Sequence, residues 1–534
     1  MIRDCLPNVL VLGIALSLGL ALGCATEPVD SEPSEARGKK KRTILLSTEY
    51  DDLSAGKEAA REIEAEMGIY DSPELTEYVA KVGRRLVQQA PPRPFQYEFH
   101  IVDQMAPNAF SLPGGHIYVS RGLIALAQDD DELANVVGHE IIHAAERHAA
   151  AQQELARRTN PFAMPFFRLA KLAAYSRDHE RAADRGGQML AAKAGYDPAG
   201  LSRFLTHLDN AERLMIGYSR LTSYFDTHPG TTERVASTAA RADTLEWTRN
   251  ATRRTGRSNY LQHIDGILLG TNPGEGVFRE TEFIHPDLGF RILFPRGWTL
   301  INGHQAVGAV SPDGRARVFI TLEAPKQPEE EPEEESEQPE GENAAPPEMP
   351  TPKEAAHRLL KNHGDEFDIR VQREQSVQLG DIQTYRLDIH GRIGSATVIG
   401  QISFIPHNGF VFRLTSVSTS AAWPNYQGRI HTAARTFRPL TDEERNSVEA
   451  LHLGVVHALE GENISALSQR TRNAWRPGRT AVLNGVFVDS LFEQGQIVKI
   501  ARSSRYRGRT PKQETLAAEV DSGLIGPEPG SVPR

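Results

Sequence analysis

Within Val136-Val137-Gly138-His139-Glu140-Ile141-Ile142-His143, two histidines stand four residues apart, with a glutamate directly after the first. This spacing constrains the fold because both imidazoles reach one point only on a helix, where residues i and i+4 share a face. The flanks read as helix on independent grounds. Asp129 and Asp130 are candidate N-caps, Asp131 and Glu132 suit the positive helix end, and Leu133, Val136 and Val137 supply an apolar side. Ala144, Ala145 and Ala149 carry the helical pattern on through Arg147. An ordinary amphipathic helix with one buried and one exposed histidine would show the same residues, so context has to decide.

A catalytic zinc usually takes three protein ligands and keeps one position for water. His139 and His143 are candidates for two of them, and Glu140 is placed to take a proton from the attacking water. The best source of a third is Ser176-Arg177-Asp178-His179-Glu180-Arg181-Ala182-Ala183-Asp184, which reads as the first turns of a second helix. Glu180 and Asp184 lie one turn apart there. One can bind metal while the other accepts a hydrogen bond from the ring N–H of a ligating histidine; His179 is a further candidate ligand. Asn160-Pro161 and Pro165 allow the chain to turn between the two helices.

A third stretch precedes both: Asn108-Ala109-Phe110-Ser111-Leu112-Pro113-Gly114-Gly115-His116-Ile117-Tyr118-Val119-Ser120-Arg121-Gly122-Leu123. With these three ordered motifs the chain resembles the M48 family of zinc metallopeptidases, the group containing the CAAX prenyl proteases, the HtpX heat-shock proteases and the periplasmic BepA/LoiP-like enzymes. The resemblance runs from about residue 50 to about residue 270. It implies one zinc ion per chain held by His139, His143 and Glu180, with Asp184 as an outer hydrogen-bond partner. It further implies Glu140 as catalytic base. Asn108, Ala109 and Phe110 read as an extended edge able to hold a peptide by main-chain hydrogen bonds. In Ser223-Tyr224-Phe225-Asp226-Thr227-His228-Pro229-Gly230-Thr231-Thr232-Glu233-Arg234, the His-Pro step followed by an arginine resembles a later family motif. In periplasmic relatives the corresponding histidine approaches the site and can cap the zinc. His228 is therefore expected either to support catalysis or to act as a latch, and its replacement distinguishes the two.

Other chemistries are excluded by what the chain lacks. Its only cysteines, Cys5 and Cys24, fall in the leader region, which removes a cysteine-protease reading and any stabilising disulfide in the mature chain. No nucleophile elbow is present. A formal net charge of −10 and the absence of a basic–aromatic array argue against a nucleic-acid partner. Arg3, the apolar run from Val9 to Leu22 and Ala21-Leu22-Gly23-Cys24 resemble a bacterial lipoprotein leader, with Cys24 as the lipidated residue. That resemblance implies a location in the bacterial periplasm and membrane association through a lipid anchor at the outer membrane.

The expected fold class is α+β: a mostly helical zincin-type metallopeptidase domain with a small sheet, a small α/β module, and a LysM-like βααβ module. The boundaries are a signal peptide at 1–23, a flexible tether at 24–47, the peptidase domain at 48–270, the accessory module at 278–440, the LysM-like module at 450–503 and a flexible tail at 504–534. Glu329 to Glu342 holds nine glutamates among fourteen residues, so an acidic insertion over 325–351 is expected to stay disordered. The LysM resemblance rests on Leu483-Asn484-Gly485 and Gly495-Gln496-Ile497-Val498-Lys499-Ile500, while Gly461-Glu462-Asn463 departs from the usual Gly-Asp-Thr. The family resemblance implies a zinc endopeptidase acting on misfolded or unassembled envelope proteins. A chaperone-like binder with a latched site and a peptidoglycan-associated processing protease are the alternatives, with outer-membrane assembly proteins as further partners.

Overall fold

The computed structural model describes residues 49–148, 176–214, 224–229, 232–249, 256–326, 348–365, 367–393 and 396–508. The leader with Cys24, the tether, the 160–165 turn and most of the acidic insertion lie outside the described residues. No described helix is long and apolar enough to cross a membrane.

Helix α1 (Glu49–Met67) and helix α2 (Pro73–Val87) open the N-terminal region, separated by residues 68–72. In α2, Leu75, Tyr78, Val79, Val82 and Leu86 recur at three- and four-residue intervals and form its buried face. A three-stranded sheet follows, made of β1 (Glu98–Val102), β2 (Ala109–Ser111) and β3 (His116–Ser120), in the order β1-β3-β2. β1 runs parallel to β3, and β2 antiparallel to it, so β2 is an edge strand. Gly114 and Gly115 make the β2–β3 turn at φ values of 79° and 91°, which a side chain would strain.

Short helix α3 (Arg121–Leu126) leads into α4 (Asp130–Ala145), which carries the paired histidines. Asp129 caps α4 by accepting from the Glu132 N–H at 2.9 Å. Every residue of α4 is buried, so it is the central helix rather than a surface one. It stops sooner than the alanines suggest: Arg147 adopts φ 54° and turns its guanidinium onto Asp52, with Nη2 donating at 2.9 Å. Helices α5 (Arg177–Lys193), α6 (Gly200–Leu214), α7 (Tyr224–Thr227), α8 (Thr232–Ala242) and α9 (Arg257–Ile264) complete the region, ending at β4 (Leu268–Leu269).

The accessory region contains β5 (Val277–Arg279), β6 (Glu282–His285), β7 (Phe290–Leu293), β8 (Thr299–Asn302), β9 (Ala306–Val310) and β10 (Ala316–Leu322). After helix α10 (Pro352–His363) come β11 (Arg370–Leu379), β12 (Ile382–Ile393), β13 (Ala396–His407) and β14 (Phe410–Thr419). Helix α11 (Trp423–Ala434), β15 (Arg438–Pro439) and helix α12 (Asp442–Asn446) finish it. Its strands form a seven-stranded antiparallel sheet, β11-β12-β13-β14-β10-β9-β8, and a four-stranded one, β15-β7-β6-β5. The apolar faces of α10 and α11 cover the larger sheet, with separate cores around Leu387 and Phe404 and around Phe290 and Phe412.

The C-terminal segment runs β16 (Glu449–His457), α13 (Ile464–Thr471), α14 (Pro477–Asn484) and β17 (Ile497–Arg505), the strand–helix–helix–strand order. Two expectations change here. Residues 504 and 505 are not tail but strand, because Glu449 pairs with Arg505, and Tyr506 donates its hydroxyl to Asp287 at 2.8 Å. The segment is also joined to the N-terminal region: β16 pairs with β4, and Leu453, Trp475 and Ala501 enter the same core as Leu123 and Val136. Lys499 carries the join furthest. Its buried Nζ donates to the carbonyls of Ala125, Leu126 and Ala127 at 2.9, 3.0 and 3.0 Å, the groups that the end of α3 leaves unpaired.

Candidate metal centre

Two glycines set the approach of the helices that build the site. A Cβ on Gly187 of α5 would lie 2.7 Å from the backbone nitrogen of His139, and one on Gly138 would lie 3.0 Å from the Gly187 carbonyl oxygen. Backbone therefore meets backbone where α4 and α5 cross, bringing the first turns of α5 over the two histidines. Ser176 caps α5 by accepting from the His179 N–H at 3.2 Å.

Four ligand atoms, from His139, His143, Glu180 and His228, lie within 4.8 Å of one another, and all four residues are buried. The Nε2 atoms of His139 and His143 are 2.9 Å apart. Glu180 Oε1 stands 3.3 Å from His143 Nε2 and 3.0 Å from His228 Nδ1. His139 Nε2 is 3.3 Å from His228 Nδ1. Ligands at zinc distances in a tetrahedron are separated by ~3.4 Å, so these spacings fit such an ion. His179 is not in the set; its ring stacks on His148 with centroids 4.1 Å apart.

Glu140 lies beside this cluster and is fully buried; neither of its oxygens accepts an aligned hydrogen bond among the described residues, and His228 Nε2 stands 3.4 Å from its Oε1. A buried carboxylate without donors is costly unless a cation or a water meets it. The donor set and this carboxylate together fit zinc with an adjacent water-activating group. Burial pushes the Glu140 carboxyl pKa up, with His228 and His139 opposing. Burial likewise holds His143 well below the ordinary imidazole value, the neutral form that ligates. For His228 and Glu180 the mutual attraction outweighs burial: Glu180 and Glu140 raise the His228 value, and His228 and His143 lower that of Glu180.

The outer partners are ordered in the same way. Asp184 Oδ1 lies 3.0 Å from His139 Nδ1, the contact that suits a proton on that nitrogen and leaves Nε2 facing the cluster. Arg234 of α8 grips Asp184 through Nε at 2.9 Å and Nη2 at 2.7 Å, and its Nη1 lies 2.8 Å from Glu180 Oε2. The same guanidinium donates to the His228 carbonyl at 3.3 Å, so one side chain ties α5 to the His-Pro step. Tyr224 stacks on the His228 ring with centroids 4.4 Å apart, and its backbone N–H donates to the Pro107 carbonyl at 2.9 Å.

Asn108, Ala109 and Phe110 are placed on or beside edge strand β2. Asn108 accepts from the Ser120 N–H, and the Leu112 N–H reaches the His116 carbonyl, each at 2.8 Å. Alternation along an antiparallel pair then turns the main-chain groups of Ala109 and Ser111 away from β3. Phe110 stacks on Tyr118 across the sheet.

Sequence reasoning did not assign Gly138, Gly187, Tyr224 or His148, whose Nδ1 lies 3.0 Å from His143 Nδ1. The arginine was visible only as part of a motif, although two acids one helical turn apart are a signal that a cation is needed nearby.

Residues 73–242 match Peptidase family M48. Over 198 residues the chain is 29% identical to the mitochondrial metalloendopeptidase OMA1 of Schizosaccharomyces pombe, covering 33% of this chain and 57% of that one. It is 26% identical over 218 residues to the beta-barrel assembly-enhancing protease of Escherichia coli K12, covering 36% and 44%. To the Bos taurus metalloendopeptidase OMA1 it is 34% identical over 154 residues, covering 24% and 29%. The chain thus spans less than two thirds of the length of each of these relatives.

Proposed function

We propose that this chain, which carries a Peptidase family M48 domain at residues 73–242, is a zinc-dependent metalloendopeptidase. The observation that carries the reading is the convergence of His139, His143 and Glu180 beside a buried Glu140 whose oxygens lack hydrogen bonds among the described residues. Zinc, when bound, polarises a scissile carbonyl and lowers the pKa of water toward ~7. Glu140 takes the proton from the attacking water and returns it to the leaving amine. Asp184 and Arg234 keep His139 in its ligating tautomer. The outward main-chain groups of Ala109 and Ser111 hold the substrate as an added strand.

The substrates we propose are misfolded or unassembled envelope proteins in the bacterial periplasm, with Cys24 as a lipid anchor at the outer membrane. The names of the assembly-enhancing proteases support this choice, as does the leader pattern. Peptidoglycan targeting by residues 450–503 is the corresponding alternative, tested by sedimentation with purified sacculi.

The proposal is tested by metal content and casein cleavage in wild type and Glu140→Gln. One zinc in the buried centre of both proteins, with cleavage by wild type alone, is the expected result. Absence of that zinc after metal-replete purification overturns the ligand set.

A latched state is favoured by one observation: His228 Nδ1 lies among the donors, 3.0 Å from Glu180 and 3.3 Å from His139. It stands where a water would otherwise complete the coordination. His228→Ala is then expected to raise casein cleavage, by about tenfold if the open form is one tenth of the population. A fall in activity assigns His228 to catalysis instead.

A further inference from the structure

A second set of metal-ligating side chains lies on the small sheet, away from α4. Glu98 and His116 are direct partners in the parallel β1–β3 register, and His100 follows two residues along β1 on the same face. Their ligand atoms lie within 4.8 Å of one another. Glu98 Oε2 stands 3.2 Å from His116 Nδ1 and 3.6 Å from His100 Nε2. These spacings bracket the ~3.4 Å that separates ligands around a tetrahedral zinc ion.

Both imidazoles are held in place by their surroundings. The rings of Phe110, Tyr118 and His100 stack in sequence across β2, β3 and β1, with centroids 5.1 and 4.9 Å apart. His116 is buried under α1, where a Cβ on Gly56 would come within 3.4 Å of its ring. Neither His100 Nε2 nor His116 Nδ1 has an aligned hydrogen-bond partner among the described residues, although both atoms are shielded from solvent. The Glu98 side chain remains 57% exposed, so an ion can enter from that side. One Glu98 oxygen faces both ring nitrogens, the arrangement a single shared ion would satisfy.

We propose that Glu98, His100 and His116 form a second site for a divalent ion of the zinc class, with an open position toward solvent. The ion would tie β1 to β3, the strand that carries edge strand β2. Imidazole and carboxylate donors suit zinc over calcium or magnesium, which prefer oxygen alone. Three ligands at a partly exposed position should also release the ion more readily than the buried centre. The inference does not depend on hydrolysis by that centre.

The test is equilibrium dialysis against zinc followed by metal counting, on the full chain and on three variants. Wild type is expected to hold two zinc ions, one lost early on brief chelation. Glu98→Ala, at an exposed side chain whose loss leaves the fold intact, should weaken the early-lost ion beyond the ~10–100-fold that removal of an outer partner costs. His100→Ala combined with His116→Ala should remove that ion, with circular dichroism reporting the fold. His139→Ala combined with His143→Ala should retain it and lose the other. A second ion that persists unchanged in Glu98→Ala, or a wild type with no early-lost ion, overturns the proposal. Failure of the buried centre would instead appear as a zinc count unaltered by the His139 and His143 substitutions.

Discussion

The two ends of helix α4 both bury charge, and they do it by different means. Toward its C-terminal half, His139 and His143 converge with Glu180 and His228 on a point suited to a metal ion, with Glu140 beside them. At its N-terminal end, Glu132 accepts from the Gln128 N–H at 3.0 Å and lies 3.1 Å from His207 Nδ1. Just before it, Lys499 Nζ lies within hydrogen-bond reach of three carbonyls at the end of α3. One end gathers ligands that chemistry demands; the other fastens a distant strand to the helix that bears them. The helix that carries the candidate ligands therefore depends on a segment that contributes none of them.

The largest expected effect isolates the first end. Glu140→Gln should reduce kcat by about 10²–10⁴-fold, the range for loss of a general base, with zinc content and unfolding midpoint unchanged. Loss of zinc along with activity would mean that Glu140 holds the site together instead of acting on substrate.

At the other end, Lys499→Met should destabilise the protein by ~3 kcal/mol, because it takes the Lys499 donor from the buried Ala125 and Ala127 carbonyls, while Leu126 keeps Gln128 Nε2 at 2.6 Å. Denaturant unfolding followed with peptidase activity checks this, and activity should fall at the same denaturant concentration as the signal from Trp475. Burial, then Arg257, pushes the Lys499 amine well below the ordinary lysine value, with Glu132 and Asp129 opposing. An amine depressed in the folded state binds fewer protons there than in the unfolded chain. Its contribution is therefore complete above the unfolded value of ~10.4 and is lost as pH falls toward the folded one. As pH falls from the unfolded value of ~10.4, wild type should therefore lose stability relative to Lys499→Met. An unchanged difference would show that the amine stays charged, held by the carbonyls.

The comparison also explains what the sequence disclosed. The ligands on α4 are four residues apart, and Glu180 and Asp184 one turn apart, so local periodicity exposed them. β-branched and aromatic runs between turns likewise predict strands at 316–323 and 409–417, and β10 and β14 occupy Ala316–Leu322 and Phe410–Thr419. Lys499 was visible only as part of a LysM-like motif, because its acceptors lie 374 residues away in the chain at Ala125 and nothing local marks a buried lysine. The pairing of β4 with β16 was hidden similarly: two residues, Leu268 and Leu269, carry too little pattern to announce a partner strand.

Gly187→Ala probes the packing between these ends. Its Cβ would fall 2.7 Å from His139 N and 2.9 Å from His139 Cα, contacts that backbone must relieve by separating α4 from α5. Overpacking of this kind costs ~1–3 kcal/mol. Because the displaced helix carries Glu180 and Asp184, zinc should dissociate faster in a chelator competition than from wild type. An unaltered rate at reduced stability would show that the ligands move together with the helices.

The smallest effect belongs to a region that neither end of α4 uses. Thr351 caps α10 in a reciprocal arrangement: its side chain accepts from the Glu354 N–H at 3.2 Å, and Glu354 Oε2 accepts from the Thr351 N–H at 2.7 Å. Removing such a cap by Thr351→Ala costs ~1 kcal/mol. The helix packs through Ala355, Ala356 and Leu359 on a core with Leu387 and Phe404, distinct from the core that contains Val136 and Leu453. The loss should consequently appear as local loosening of α10, read as faster amide exchange over 352–363, with zinc content and casein cleavage at wild-type levels. A fall in cleavage would break the separation, because strain at the accessory sheet would then be reaching α4 through the same chain of contacts that Lys499 anchors.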